Sequence, residues 1–462
     1  MSIVVVSFLA ASFCHTSDTP PPSIAEQYRA AADRIIAATM AGNEAYAKLT
    51  ELCDDIGHRL SGSPQLELAI SWALETLKRD GQENVHAEPV MVPHWVRGAE
   101  SLVMTSPRSQ PLVMLGLGGS VGTPPGGITA PVVSVPDEAG LAALGDSLRG
   151  KIILFDNPMP AYDREHGTQY GSTVRFRVNG PKLAADKGAV ACLVRSVTAR
   201  TLRSPHTGAT RYADAERKIP AAAISAEDAA MITRLLARGT PVSLTLSMEA
   251  KTLDPAPSAN VIAELRGSTQ PDEIVVIGGH IDSWDVGQGA HDDGAGCVMA
   301  MEAINVLRRL KMIPRRTIRV VLWTNEENGL AGARQYAADH ADELPKHVAA
   351  IEADSGGFRP TGYSVDCSDK DLQTLAVEQM RQITSLLTSM GPMTVETGGA
   401  GADVGPMKPA GVLLLGHENE ASTYFDYHHS HADTLDKVDP TDLSRNVAVM
   451  ATVAYILADM PR

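Results

Sequence analysis

The stretch Ile274–Gly296, IVVIGGHIDSWDVGQGAHDDGAG, carries both the fold and the chemistry of this chain. Its apolar run Ile274–Ile277 has the character of a strand buried on both faces, as in a parallel sheet. His280 follows directly, Asp282 lies two residues on, and a glycine-flanked acidic pair, Asp292–Asp293, precedes a helical pattern that begins near Gly294. Imidazole and carboxylate at the mouth of a strand suit a divalent metal, and glycines let backbone crowd around it. Three later segments have the same character: Trp323–Asn328 (WTNEEN), Ile351–Gly356 (IEADSG) and His428–Thr434 (HHSHADT).

Outward from this stretch, strand-like and helix-like patterns alternate. Strands are expected at Ile274–Gly278, Thr317–Trp323, His347–Glu352 and Val412–Leu415, and helices at Gly294–Leu310, Leu330–His340, Leu372–Leu387 and Asp442–Asp459. Such alternation predicts an α/β fold, a mixed and mainly parallel sheet with helices on both faces. Ligands of such sheets bind at the carboxyl ends of the strands. His280, Glu326–Glu327 and Asp354 all lie just past a predicted strand.

Before this core, Ser23 and Glu26 form a capping box for a first helix. A second helix near Glu44–Cys53 leads into the loop GHRLSGS (57–63), and Ser63–Pro64 opens a third. A strand follows at Val85–Val92. From 100 to 254 the character changes to short β-like runs, such as Leu112–Leu115, Ala130–Val135 and Lys151–Phe155, separated by Gly/Pro turns. Helical pieces are expected near Gly180–Lys187 and Ser225–Arg238. The segment holds no ligand cluster, and its isolated His166 and His206 read as surface residues. It is expected to be an inserted domain within a discontinuous catalytic domain, 23–99 and 255–462, with Leu253–Ser258 marking the return.

A chain of 462 residues accommodates two domains. A net charge of −15 argues against nucleic acid or an anionic membrane as the main partner, since both demand basic patches. The five cysteines are scattered without a C-x-x-C pair, so the site must be built from His, Asp and Glu. The opening MSIVVVSFLAASFC has an apolar core of signal-peptide length without a preceding positive charge. Residues 1–22 are expected to be an export signal and a disordered stretch, and the protein periplasmic or extracellular; without a functioning signal it would be cytoplasmic. No other run reaches the length of a bilayer span, so stable membrane insertion is not expected.

Two metals close together require ligands from several loops and one bridging carboxylate. The simplest assignment has Asp292 bridging, His280 and Asp354 completing one metal, and Glu327 and His429 the other. Each metal then keeps an open position for water, the mark of a catalytic site. Asp282 is placed to accept the second imidazole N–H of His280. Glu326, beside a ligand but not needed as one, is placed to take a proton from water and pass it to a leaving amine. Alone, Asn-Glu-Glu-Asn reads as a solvated loop or helix start; alongside the other three segments it reads as base and ligand.

These residues resemble the co-catalytic di-zinc exopeptidases of the plasma glutamate carboxypeptidase, or carboxypeptidase Q, type. The likeness runs through GHRLSGS, GGHIDSWDVGQGAHDDGAG, WTNEENGLAGARQYA, IEADSGG, GADVGPMKPAG and YFDYHHSHADTLDKVDP, most of the chain outside 100–255. It implies a zinc exopeptidase fold and two zinc ions per chain, bridged by Asp292 and a water or hydroxide. It implies His280, Asp292, Glu327, Asp354 and His429 as ligands, Asp282 as orienting acid and Glu326 as general acid/base. The choice of His429 over His428 and His431 follows the family spacing, four residues before the aspartate of the A-D-T element, Asp433. His428 is then a packed or pocket-edge residue, His431 a pocket-lining one, and His291 a neighbour of the bridging residue. The family's bridging aspartate often precedes a cis peptide, which would fall at Asp292–Asp293. The 100–254 segment resembles a protease-associated domain, and either narrows the substrate range or forms a homodimer interface.

The expected reaction is hydrolysis of dipeptides or short peptides with free termini. Tyr424 or Tyr427 is a candidate donor to the developing oxyanion. The alternatives are an aminopeptidase acting on longer peptides, a glutaminyl-cyclase-like transferase on the same fold, and a non-catalytic binding or receptor-like module.

Overall fold

The computed structural model describes residues 22–200, 202–212 and 215–461; the expected export signal, with Cys14, lies outside them. An eight-stranded mixed sheet forms one half of the molecule. Its order runs Glu83–Val96, Lys251–Leu265, Arg316–Trp323, Gln270–His280, His347–Glu352, Leu413–Asn419, Pro360–Asp366, Thr394–Thr397. The four central strands, from Arg316–Trp323 to Leu413–Asn419, run parallel.

Alternate side chains of these strands enter two different cores, because successive residues of a strand point to opposite faces. Val275, Ile277, Val320 and Ile351 pack on one face against the helices Ile24–Ala41, Ala295–Arg309 and Pro440–Asp459. Val276, Val321 and Ala350 pack on the other against the helix Ala331–Asp339. Both faces are therefore covered, which is why the strands read as continuous apolar runs. Among the described residues, no helix is long and apolar enough to cross a membrane.

Local signals place several boundaries. Ser23 and Glu26 make the reciprocal capping box of the first helix, and Ser63 caps the helix Pro64–Arg79. The expected return at Leu253–Ser258 is instead part of the long strand Lys251–Leu265, paired antiparallel along Glu83–Val96. Pro255 sits at the irregularity of that ladder, and Pro257 lies before the pairing with Arg316–Trp323 begins, positions that tolerate a missing N–H. The strands Pro360–Asp366 and Thr394–Thr397 were not anticipated, since neither has a strong apolar period.

Residues 100–248 build a second eight-stranded sheet with its own cores. Leu112–Leu115, expected as one strand, is split between Gln110–Leu112 and Met114–Gly116, which sit at opposite edges of this sheet. Trp284 and Val286, from the loop after the Gln270–His280 strand, pack into one of its cores with Leu244 and Leu246. The two halves thus meet against the loop that carries the metal-ligand candidates.

A charge network ties the edge of the first sheet to its centre. His340 lies between Glu88 (2.9 Å) and Glu343 (2.8 Å), and Arg319 bonds Glu343 (2.7 Å) and Glu264 (2.8 Å). Burial alone would lower the His340 pKa, but the two carboxylates raise it from 6.5 to about 9. A raised folded pKa gives stability that is complete below 6.5 and lost as pH rises through about 9. Glu343 is lowered, chiefly by its bond to His340, so its contribution is present above 4.5 and lost on acidification. Both are in force between 4.5 and 6.5. His340→Ala is expected to cost about 1–2 kcal/mol at pH 6. Denaturant titrations of both proteins should show the difference narrowing above pH 9; a pH-independent difference would remove the charge from the account.

Candidate metal centre

The central strand ends at His280, and the residues around it explain where its ring is held. Gly279 precedes it because any Cβ there would collide with the Asp293 carboxylate. That carboxylate accepts the backbone N–H of His280 (3.0 Å) and, on its other oxygen, that of Gly296 (3.1 Å). Asp293 therefore joins the strand end to the start of the next helix. The preceding loop is clasped by Arg59 of the GHRLSGS segment, fully buried and donating to the carbonyls of Ile281 (2.8 Å), Gln288 (2.7 Å) and Gly289 (3.0 Å). The Asp292–Asp293 peptide is cis. Asp433 accepts the backbone N–H groups of His291 (2.8 Å) and Asp292 (3.1 Å), which ties the His428–Thr434 segment to Asp292.

Around Asp292 the structure gathers all five residues expected to bind metal. His280 Nε2 lies 3.2 Å from Asp292 Oδ1 and 3.5 Å from Asp354 Oδ1. His429 Nε2 lies 3.2 Å from Asp292 Oδ2 and 3.0 Å from Glu327 Oε2. Each Asp292 oxygen thus faces its own histidine and carboxylate. A tetrahedral zinc ion with ligands about 2.0–2.1 Å away spaces them roughly 3.3 Å apart. These four separations match that spacing.

Two further observations support the fit. His280 Nε2, Asp292 Oδ2 and Glu327 Oε1 are buried and make no hydrogen bond, an arrangement expected of atoms directed at an ion. The carboxylates also crowd one another. Burial, then the Asp292 charge, pushes Glu327 up to about 7, and burial raises Asp354. Divalent cations would relieve both. Burial opposes protonation of His280, but Asp292 and Asp354 raise its pKa well above the usual range. His429, buried likewise, is raised to about 9 by Glu327 and Asp292.

Glu326 lines the same cleft but belongs to neither ligand set. Burial, with further contributions from Asp354 and Glu327, pushes its pKa well up. Its backbone is held by Asp282, whose carboxylate accepts the N–H of Glu326 (3.0 Å) and of Glu327 (3.4 Å). That corrects the expected partner of His280. The imidazole Nδ1 meets the Asp282 carbonyl oxygen at 3.0 Å, while the carboxylate lies 3.8 Å away. The Asp282 carboxylate orients the loop that carries Glu326 and Glu327, and its backbone carbonyl orients the histidine.

The other histidines separate by their surroundings. His428 stacks on His429 (3.5 Å between ring centres), and its Nε2 lies 3.6 Å from Asp292, farther than that of His429 and with no second carboxylate close by. His291 is stacked on Phe358 and Tyr427 and accepts the Gly357 N–H on Nδ1 (3.0 Å). His431, expected to line the substrate pocket, is exposed in a separate groove with Tyr46, Asp54 and Gln288. Tyr427 also lies outside the metal-side cleft, its ring occupied by His291 and Phe358. Tyr424 does line it, buried against His428 and Phe425.

The second sheet's half supplies the opposite wall, through residues that carry no ligand-like signal in the sequence. Tyr170, Arg177 and Arg211 face the ligands across a cleft of about 660 Å³. The Arg177 guanidinium reaches His429 Nδ1 (3.3 Å) and its Nε has no partner. His206, expected at the surface, is buried with its Nδ1 2.6 Å from the His428 carbonyl, and burial holds its pKa down at about 3. Its signal in the sequence is weak, a single histidine between Pro205 and Thr207 with no periodic context.

Comparisons with known proteins agree with this geometry. Residues 260–454 match the model of peptidase family M28. Carboxypeptidase Q of Mus musculus is 44% identical over 418 residues, covering 90% of this chain and 86% of that protein. The crystal structure of a peptidase M28 precursor from Shewanella amazonensis superimposes with a TM-score of 0.89 at 37% identity, over 95% of this chain and 98% of that one. A zinc aminopeptidase from Bacillus subtilis shares the fold, with a TM-score of 0.64 at 20% identity over 90% of this chain and 95% of its own.

Proposed function

The chain belongs to peptidase family M28, among the carboxypeptidase Q relatives, and is a metallo-exopeptidase; from that premise we propose that it hydrolyses dipeptides and short peptides with free termini at a pair of zinc ions bridged by Asp292. The observation that carries this reading is the division of one carboxylate between two histidine–carboxylate sets, with Oδ1 toward His280 and Oδ2 toward His429.

Zinc ions held there would polarise the scissile carbonyl and lower the pKa of water. The chain's own residues supply the rest. Glu326, unliganded and with its proton affinity raised, takes the proton of the attacking water and delivers it to the departing amine. Asp282 keeps Glu326 and Glu327 in register by accepting both their backbone N–H groups. Burial, and then Asp292, pushes the Tyr424 hydroxyl well up, so it stays protonated and can donate to an oxyanion.

The preference for short substrates is supported by the opposite wall. Tyr170 and Arg177 stand across the cleft from the ligands, where an extended peptide would have to pass. Arg177, Arg211 and Arg334 place cations in the cleft for a free carboxylate, while the acidic side suits a free amine. We read residues 100–248 accordingly as an inserted domain that narrows the substrate range.

Zinc content of the purified protein, combined with rates on Xaa-Xaa, Xaa-Xaa-Xaa and aminoacyl-anilide substrates, tests the proposal. Two zinc ions per chain, loss of activity on chelation and highest kcat/KM on dipeptides are expected. Equal turnover of anilides and longer peptides would instead identify an aminopeptidase, and a single ion per chain would overturn the bridged centre.

A further inference from the structure

We propose that His206 is a positioning residue for the second metal: through its Nδ1–H it fixes the His428–His429 backbone, and so the half of the centre that Glu327 and His429 build depends on the second sheet. This rests on the reading of His429 as a ligand.

The segment that carries His429 needs external support. His429 has φ +59°, the left-handed region that a non-glycine residue adopts at a cost of roughly 1–2 kcal/mol. It follows a one-turn helix, Tyr424–Tyr427, too short to hold what comes after it. Three bonds from residues 206–207 hold it. His206 Nδ1 donates to the His428 carbonyl at 2.6 Å, and the Thr207 N–H donates to the His429 carbonyl at 2.8 Å. The Thr207 carbonyl in turn lies 3.3 Å from His429 Nδ1.

This third contact suits the tautomer that a ligand nitrogen at Nε2 requires. With His429 Nε2 turned toward Asp292 and Glu327, the ring proton belongs on Nδ1, and the Thr207 carbonyl is its acceptor. Arg177 also approaches Nδ1, but as a donor it cannot bond a protonated nitrogen. The clamp itself is anchored. The His206 N–H donates to Ser196 Oγ (3.0 Å), Ser196 Oγ to the Ile224 carbonyl (2.7 Å), and Thr207 Oγ1 to the Gly116 carbonyl (2.7 Å), all within the second half of the molecule. His206 is 2% exposed, so losing its donor would leave the His428 carbonyl without that bond in a buried setting. The second sheet therefore does more than roof the cleft.

The test reads metal binding independently of turnover. In His206→Leu, which keeps bulk and removes the donor, the affinity of one of the two zinc ions is expected to fall about 10–100-fold while the other is unchanged. His206→Asn, whose amide nitrogen occupies the Nδ1 position, should restore it; His206→Gln, whose amide lies where Nε2 was, should not. Cobalt substitution gives a second readout, because the absorption of the weakened site should change in the Leu and Gln variants alone. Wild-type binding of both ions by the Leu and Gln variants would overturn the proposal and leave the metal reading intact. If His429→Ala also bound two ions with wild-type affinity, the ligand reading itself would fall. Should the Leu variant fail to fold, the Asn–Gln contrast decides alone.

Discussion

Replacing Glu326 by glutamine is expected to lower kcat by about 10³-fold, within the 10²–10⁴ range of a lost general base, with zinc content and KM little changed. Glutamine fills the same volume but cannot hold the proton of the attacking water. Glu326 is not among the residues assigned as ligands, which pair around Asp292 as His280 with Asp354 and His429 with Glu327, so the metals should stay in place. The loop geometry should also survive, because Asp282 holds residues 326 and 327 through their backbone N–H groups and not through the side chain. Rates on a dipeptide measured beside metal content decide the matter. Full activity in a zinc-loaded variant would remove Glu326 from the mechanism, whereas loss of zinc would move it among the ligands.

Asp292→Asn is expected to be more severe, with both ions lost and activity down by about 10⁴-fold or more. Among the described residues, Asp292 is the one shared by the two sets, with His280 and Asp354 on one side and His429 and Glu327 on the other. Burial would favour its neutral form, but hydrogen bonds to His280 and His429 hold its pKa well below the carboxylate range. Asparagine offers one oxygen and turns an NH₂ group toward the second histidine, so one metal loses its ligand and the other loses the neutralising charge. Asp354→Ala, by comparison, should release one ion first. Zinc titration of the two variants separates these outcomes. Retention of both ions by Asp292→Asn would show that each site closes without a bridge.

The parts of this fold that were readable from the chain are those with local causes. Ser23 and Glu26 cap a helix with their own backbone, and Ile274–Ile277 declares a strand buried on both faces. The ligand candidates were readable because the central strands are parallel, so their carboxyl ends lie on one edge and the loops after them converge. His280, Glu327 and Asp354 meet around Asp292 for that reason.

Other residues had no such signal. Leu253–Ser258 resembles a linker until the Glu83–Val96 strand is laid beside it. Among His428, His429 and His431, composition is silent, and only the spacing to Asp433 in the family resemblance points to His429. What separates them is that His429 points at Asp292 and Glu327, His428 is stacked beneath it, and His431 turns outward beside Gln288.

By itself, then, the sequence determined the parallel strands of the core and the helices that cover them, the α/β class and the candidate residues for holding metal and moving a proton, since periodicity, capping and ligand chemistry are properties of short segments. Only the tertiary structure decided what holds His429 toward Asp292 and which groups hold the carboxylates in place. It alone also brought Arg177 and His206, more than 200 residues away along the chain, against His429. These are contacts between surfaces, and hydrogen-bond partners at such separation are chosen by how two packed sheets meet, which no local pattern records.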